Sequence, residues 1–120
     1  MKIIPKISQT ISSAGTTYSP VANFSPSDDD INVIETTLSV SALSGSGTTL
    51  KVIPQYSYDN ETWFDQPADG QFSEVNSTST LPTAETLLLG ITAINLRHKY
   101  VVTGATPSVT FDLYTVAKST

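Results

Sequence analysis

The 120-residue sequence predicts an all-β fold, a single β-sandwich or jelly roll of about eight mostly antiparallel strands with an extended N-terminal segment. Three observations lead there. Apolar and polar residues alternate at period two over several stretches, the spacing that buries one face of a pleated strand. Turn-forming residues punctuate those stretches at short intervals, as they do in sandwiches and jelly rolls. Ser and Thr make up roughly a quarter of the chain, and β-branched Thr suits strands, whereas the long amphipathic runs that a βαβ layout needs are absent.

The elements follow in chain order. Residues 1–26 carry Ile3, Ile4, Ile7 and Ile11, then a Ser/Thr/Gly stretch, then Tyr18 and Phe24. Pro5, Pro20 and Pro26 forbid a long helix there and suit an extended arm or edge strand. The segment 1–30 is therefore set apart from a sandwich domain spanning 31–120. Ser27-Asp28-Asp29-Asp30 reads as a turn. From Ile34 to Ala42, Ile34, Leu38, Val40 and Ala42 alternate with Glu35, Thr37, Ser39 and Ser41, a half-buried strand closed by the hairpin loop Ser44-Gly45-Ser46-Gly47. Thr48 to Tyr58 places Leu50, Val52, Tyr56 and Tyr58 on one face, and Pro54, which has no N–H to donate, predicts a bulge or an edge.

Asp59-Asn60-Glu61 turns the chain into a short strand over 62–65, and Pro67-Ala68-Asp69-Gly70 makes a turn in which Gly70 is expected to supply φ > 0. A further short strand spans 71–75, a polar connection spans 76–82, and Glu85 to Ile91 is either a strand or one helical turn. Ile94 to Thr103 then sets Leu96, His98, Tyr100 and Val102 against Arg97, Lys99, Val101 and Thr103. After a hairpin turn at 104–108, Val109, Phe111 and Leu113 alternate with Thr110, Asp112 and Tyr114 to complete the domain.

Composition narrows the function classes. A net charge of −5 with only six scattered Lys and Arg residues gives no basic stripe for phosphates, so nucleic acid is not an expected partner. With no cysteine there is no disulfide or thiolate chemistry, which leans toward a reducing site of synthesis. The start Met-Lys-Ile-Ile-Pro lacks the apolar core of a signal peptide. The longest apolar run, Leu87 to Ile91, falls far short of the roughly 20 residues that span a bilayer, so neither export nor membrane insertion is expected.

The catalytic inventory is close to empty. No Gly-x-Ser-x-Gly elbow and no Gly-rich phosphate loop before a helix occurs. His98, the single histidine, lies among apolar neighbours of its own parity and is expected to pack rather than to react. The run Asp28-Asp29-Asp30 lacks EF-hand spacing and reads as solvated loop acids, with an incidental Ca²⁺ site as the alternative. The pairs Asp65/Asp69 and Asp59/Asp65 have the residue types of a glycosidase dyad, but nothing fixes their separation. No catalytic residue, metal or cofactor is expected, and the chain is not expected to be an enzyme.

Tyr56, Tyr58, Trp63 and Phe64 cluster around one turn. They are candidates for contact with a protein partner or a sugar ring, against the alternative that Trp63 packs as core across the hairpin.

Residues 34–116 resemble a pattern in small phage virion proteins. The resemblance rests on Leu38-Ser-Val-Ser-Ala-Leu-Ser-Gly-Ser-Gly-Thr-Thr-Leu50, on Gln55-Tyr-Ser-Tyr-Asp-Asn-Glu-Thr-Trp63, and on Leu96-Arg-His-Lys-Tyr-Val-Val-Thr-Gly104 followed by Ser108-Val-Thr-Phe-Asp-Leu113. The Ser57–Trp63 element is also similar to discoidin-like and carbohydrate-binding sandwiches, with Asn60 standing where Gly is usual; Asn tolerates φ > 0. The resemblance implies a capsid decoration or cement protein, or another head or tail accessory component. Such a protein would be made in the host cytoplasm and placed on the outer capsid surface. Its partners would be further copies of itself, as in a trimer, and a coat-protein lattice. A module binding host-surface glycans is the alternative. Ile3, Ile4, Ile7 and Ile11 would either add an edge strand to a neighbouring subunit or form the first strand of the chain's own sandwich.

Overall fold

The structure, a computed structural model, describes residues 1–24, 31–90 and 95–119. Pro26, the acidic run Asp28–Asp30, Ile91 and Ile94 lie outside the described residues. Two antiparallel sheets pack face to face, and the molecule is drawn out along its strands to 46 × 27 × 24 Å. The elements are β1 (Lys2–Ile11), β2 (Gly15–Tyr18), β3 (Ala22–Asn23), β4 (Val33–Ser44), β5 (Thr49–Ser57), β6 (Phe64–Asp65), a 3₁₀ turn (Ala68–Gly70), β7 (Val75–Asn76), β8 (Thr83–Gly90), β9 (Asn95–Thr103) and β10 (Ser108–Lys118). The first sheet has the order β1-β10-β4-β8. The second has the order β2-β9-β5-β6, with β3 also pairing β9 and β7 also pairing β5. The fold is a β-sandwich.

The alternation seen in the sequence places the core. Leu38 and Val40 of β4, Leu50 and Val52 of β5, Tyr100 and Val102 of β9, and Val109, Phe111 and Leu113 of β10 meet between the sheets, with Phe72 and Val75 beside them. A smaller cluster of Phe24, Ile34, Leu89, Leu96 and Ala117 fills one end. Between the two clusters lies a polar layer. Thr36 sits between Ile34 and Leu38 on β4, Thr115 between Leu113 and Ala117 on β10, and His98 between Leu96 and Tyr100 on β9. Thr36 Oγ1 lies 3.0 Å from His98 Nε2 and 3.1 Å from Thr115 Oγ1, so a hydrogen-bonded chain crosses from one sheet to the other. Burial pushes the imidazole down to about 4, so His98 is neutral at physiological pH.

Other threonines decorate the outer faces. Thr10 pairs with Thr110, Thr37 with Thr86 and Thr49 with Thr103 as direct cross-strand neighbours, with hydroxyls 2.5 to 3.1 Å apart. Such pairs hold a sheet surface together without charge.

Several local expectations need correction. The turns at 44–47 and 104–108 close no hairpins: each carries the chain from one sheet to the other, β4 to β5 and β9 to β10. Ala42 is exposed, because Ser41 is an extra residue in β4 opposite the Thr110–Phe111 step; the bulge shifts the parity, and Leu43 turns inward in place of Ala42. Gly70 does not adopt positive φ. It is closely packed instead: a Cβ would lie 3.1 Å from Gln66 Cβ and 3.3 Å from Leu89 Cδ2, so those side chains would have to give slightly. Residues 71–74 form no strand; Phe72 instead plugs the core while its N–H donates to Val52 O. Thr83 to Gly90 is a strand, which settles the choice left open there.

Pro54 makes neither a bulge nor an outermost strand. Its carbonyl accepts from Gln66 N, away from β9. In an antiparallel strand a residue's N–H side matches its C=O side, so the missing donor falls on the ragged flank between β6 and β7.

The N-terminal segment joins both sheets. β1 pairs with β10 as an edge strand, with Pro5 and Lys6 together opposite Tyr114, and β2 and β3 line the edge of the other sheet against β9. Ile11 is buried, Ile4 and Ile7 pack against the two core clusters, and Ile3 is 74% exposed. These isoleucines thus form the first strand of the chain's own sandwich.

Candidate functional site

The Ser57–Trp63 turn is built by side chains that satisfy the backbone locally. Ser57 Oγ accepts from Asn60 N at 2.8 Å and donates to Asp59 Oδ1 at 3.1 Å. That carboxylate oxygen also accepts from Thr62 N at 2.8 Å and Glu61 N at 2.9 Å. The Thr62 and Glu61 amides hold the Asp59 carboxyl below its usual range. Asn60 takes φ 63°, the left-handed conformation anticipated for it. The turn delivers Trp63 to the outer face of the second sheet and leads into β6.

The four clustered aromatics separate. Phe64 lies opposite Tyr56 and stacks on it at 5.6 Å, and Tyr58 meets Tyr56 edge-on at 6.0 Å. Tyr58 and Phe64 are exposed. Trp63 leaves this group. It is half-buried against Arg97, whose guanidinium carbon lies 4.2 Å from the indole centroid and 3.9 Å from the Tyr18 ring.

Beneath that stack, Arg97 Nε donates to Gln55 Oε1 at 2.8 Å, and Gln55 Nε2 donates to Asp65 Oδ1 at 2.7 Å. Lys99 Nζ completes the chain on Asp65 Oδ2 at 2.9 Å. Desolvation opposes ionisation of Asp65, but the Gln55 hydrogen bond and the Lys99 ammonium together keep its pKa below the ordinary value. Cross-strand pairing fixes all of this: Gln55 faces Arg97 and Asp65, and Tyr18 faces Lys99.

Tyr18, Gln55 and Arg97 were not among the sequence candidates. The available signal was parity, since Gln55 and Arg97 alternate with core residues and must point outward on their strands. The pairing that brings the distant Tyr18 to them has no local signature.

His98 lies in the interior, as described, and its backbone N–H donates to Ser19 Oγ at 2.8 Å. No hydrogen bond or shared partner joins Asp65 to Asp69 or Asp59 to Asp65 among the described residues. Asp59 is spent on its turn and Asp65 on Gln55 and Lys99. Among the described residues no group of three or more His, Cys, Asp or Glu side chains converges on a point.

Compared with known proteins, the chain matches no protein-family model and no curated protein. The site is therefore read from its own geometry. A second surface feature accompanies it. A shallow, largely apolar groove of about 520 Å³ crosses the outer face of the first sheet from β1 over β10 to β4, lined by Met1, Ile3, Lys6, Glu35, Tyr114 and Val116. Lys6 Nζ sits over the Tyr114 ring at 5.6 Å.

Proposed function

We propose that the chain is a non-enzymatic structural protein of a virion, a capsid decoration or cement protein that assembles with copies of itself and holds a coat-protein lattice. The observation that carries this reading is the edge position of β1. Among the described residues β1 pairs with β10 alone; its other side faces residues 20–23 across a second cavity, with Met1 and Ile3 exposed on the strand. An unpaired edge flanked by apolar side chains recruits a further strand by main-chain hydrogen bonding, and many weak contacts sum when the partner is a repeating lattice. Both the surface threonine pairs and the neutral, buried His98 suit a protein that holds rather than reacts.

The test has two parts. Light scattering should give a mass that is a multiple of the 12.8 kDa chain, and the protein should co-sediment with particles stripped of their accessory proteins. A strictly monomeric mass with no co-sedimentation would overturn the reading. The rival, a carbohydrate-binding module, draws on the exposed Tyr58 and Phe64. Trp63, its natural platform, already gives a ring face to Arg97. Saturable binding on a glycan array, abolished by Tyr58→Ala, would favour that rival.

A further inference from the structure

We propose that Arg97 anchors a second docking site, one that takes an aspartate or glutamate carboxylate from a partner protein. Arg97 is the only arginine in the chain. The two ion pairs among the described residues are Lys99–Asp65 and Lys118–Glu35, so the guanidinium has no carboxylate of its own. The nearest one, on Asp65, has both oxygens engaged, by Gln55 and by Lys99, and the neutral Gln55 amide separates it from Arg97.

A guanidinium carries five N–H donors. The Nε donor is bound to Gln55, and among the described residues the Nη donors have no protein acceptor. The guanidinium carbon lies 3.9 Å from the Tyr18 ring centroid and 4.2 Å from that of Trp63. With the rings against the group and Nε bound, the Nη donors are the ones left to make a two-pronged contact with a carboxylate. The aromatic clamp removes the rotamer freedom that an arginine otherwise loses on binding.

Partner class follows from the surroundings. Arg, Trp and Tyr are the residue types that dominate protein–protein binding energy. They stand here on the open outer face of a sheet, with Tyr18 49% exposed. A cation with no carboxylate partner among the described residues is complementary to an acidic side chain at close range, while the molecule as a whole, at net charge −5, repels acids at a distance. Any saturable association with an acidic peptide must therefore be local. The site does not depend on the virion reading, because its test needs neither particles nor oligomers.

The experiment uses the full, ¹⁵N-labelled chain and the peptide acetyl-Glu-Glu-Glu-amide at low salt. Because there is one arginine and one tryptophan, the Arg97 Nε–H resonance and Trp63 emission each report on a single group. Both should shift saturably with the same midpoint, and about 0.3 M salt should weaken the binding. Arg97→Lys keeps the charge but loses the fork and the stack, and should bind at least about tenfold more weakly. Lys118→Ala, on the other sheet, should bind like wild type. Trp63→Phe preserves a stacking face and should remain within about threefold by NMR, and the amide spectrum of Arg97→Lys should overlay that of wild type away from the site, which separates lost binding from a folding defect. No saturable shift in the wild type, or equal binding by Arg97→Lys, overturns the proposal. Binding of glucuronate or N-acetylneuraminate about tenfold tighter than the peptide would overturn the protein-partner assignment.

Discussion

Acidification should destabilise this protein well before its carboxylates titrate, because the single histidine is buried uncharged. An unfolded chain takes up a proton on His98 near pH 6.5, whereas the folded chain resists until about 4. Between those values the unfolded state binds more protons, so stability rises with pH across the window. It is complete above 6.5 and falls as pH drops toward 4. The full span of about 2.5 pH units corresponds to something on the order of 3 kcal/mol, of which about 2 kcal/mol is lost between pH 7.5 and pH 5.

Asp59 and Asp65 have pKa values lowered from 3.8, so the stability they contribute is lost only as pH falls below that value, outside the window. Urea titrations at pH 7.5, 6 and 5 on wild type and His98→Gln give the comparison. Wild type should lose about 2 kcal/mol, and the variant, lower at pH 7.5, should show a nearly flat profile. The imidazole proton resonances, unique in this chain, should titrate in the folded state with a midpoint near 4. A folded-state midpoint near 6.5, or the same slope in His98→Gln, would refute the reasoning.

Other outcomes follow from the interior and the turns. The Tyr100 phenol is pushed by burial up to about 12, partly opposed by nearby Ser19, yet its hydroxyl makes no hydrogen bond of good geometry; Ser19 Oγ instead bonds Pro20 O and His98 N. Tyr100→Phe should therefore be neutral or stabilising by up to about 1 kcal/mol in denaturant melts, since it removes an unsatisfied buried group. Phe72→Ala empties a fully buried site between the sheets and should cost about 3–5 kcal/mol. Gly47→Ala, at φ +68° in open space, should cost only about 1–2 kcal/mol of left-handed strain by thermal melt. Gly45→Ala should cost distinctly more, because a Cβ there would collide with the Thr106 carbonyl oxygen and Thr48 Oγ1.

Strand alternation made most of the sandwich legible, because period two survives in β4, β9 and β10 wherever one face is buried. It failed where pairing, which is non-local, intervenes. The Ser41 bulge reversed Ala42 and Leu43, and Gly70 answered to its neighbours Gln66 and Leu89 rather than to backbone angle. The functional surface was legible only in part. The Ser57–Trp63 turn was visible with its φ > 0 residue, but Trp63 was grouped with Tyr56 and Phe64 because they adjoin in sequence. Its true neighbours come from β2 and β9. Local order says which face a residue takes; it does not say who shares that face from across the sheet.

The glycine-bearing turns between the sheets carry a consequence for how such a chain can change. The β4–β5 and β9–β10 connections both pass from one sheet to the other at the same end of the sandwich. There Gly45 and Gly104 each press against Thr48 so closely that neither position has room for a methyl group. A side chain is therefore shut out at those two points, although Gly47 between them stands in open space. At the opposite end the exposed Tyr58 and the surface of the Asp59 turn are free to change what the molecule presents.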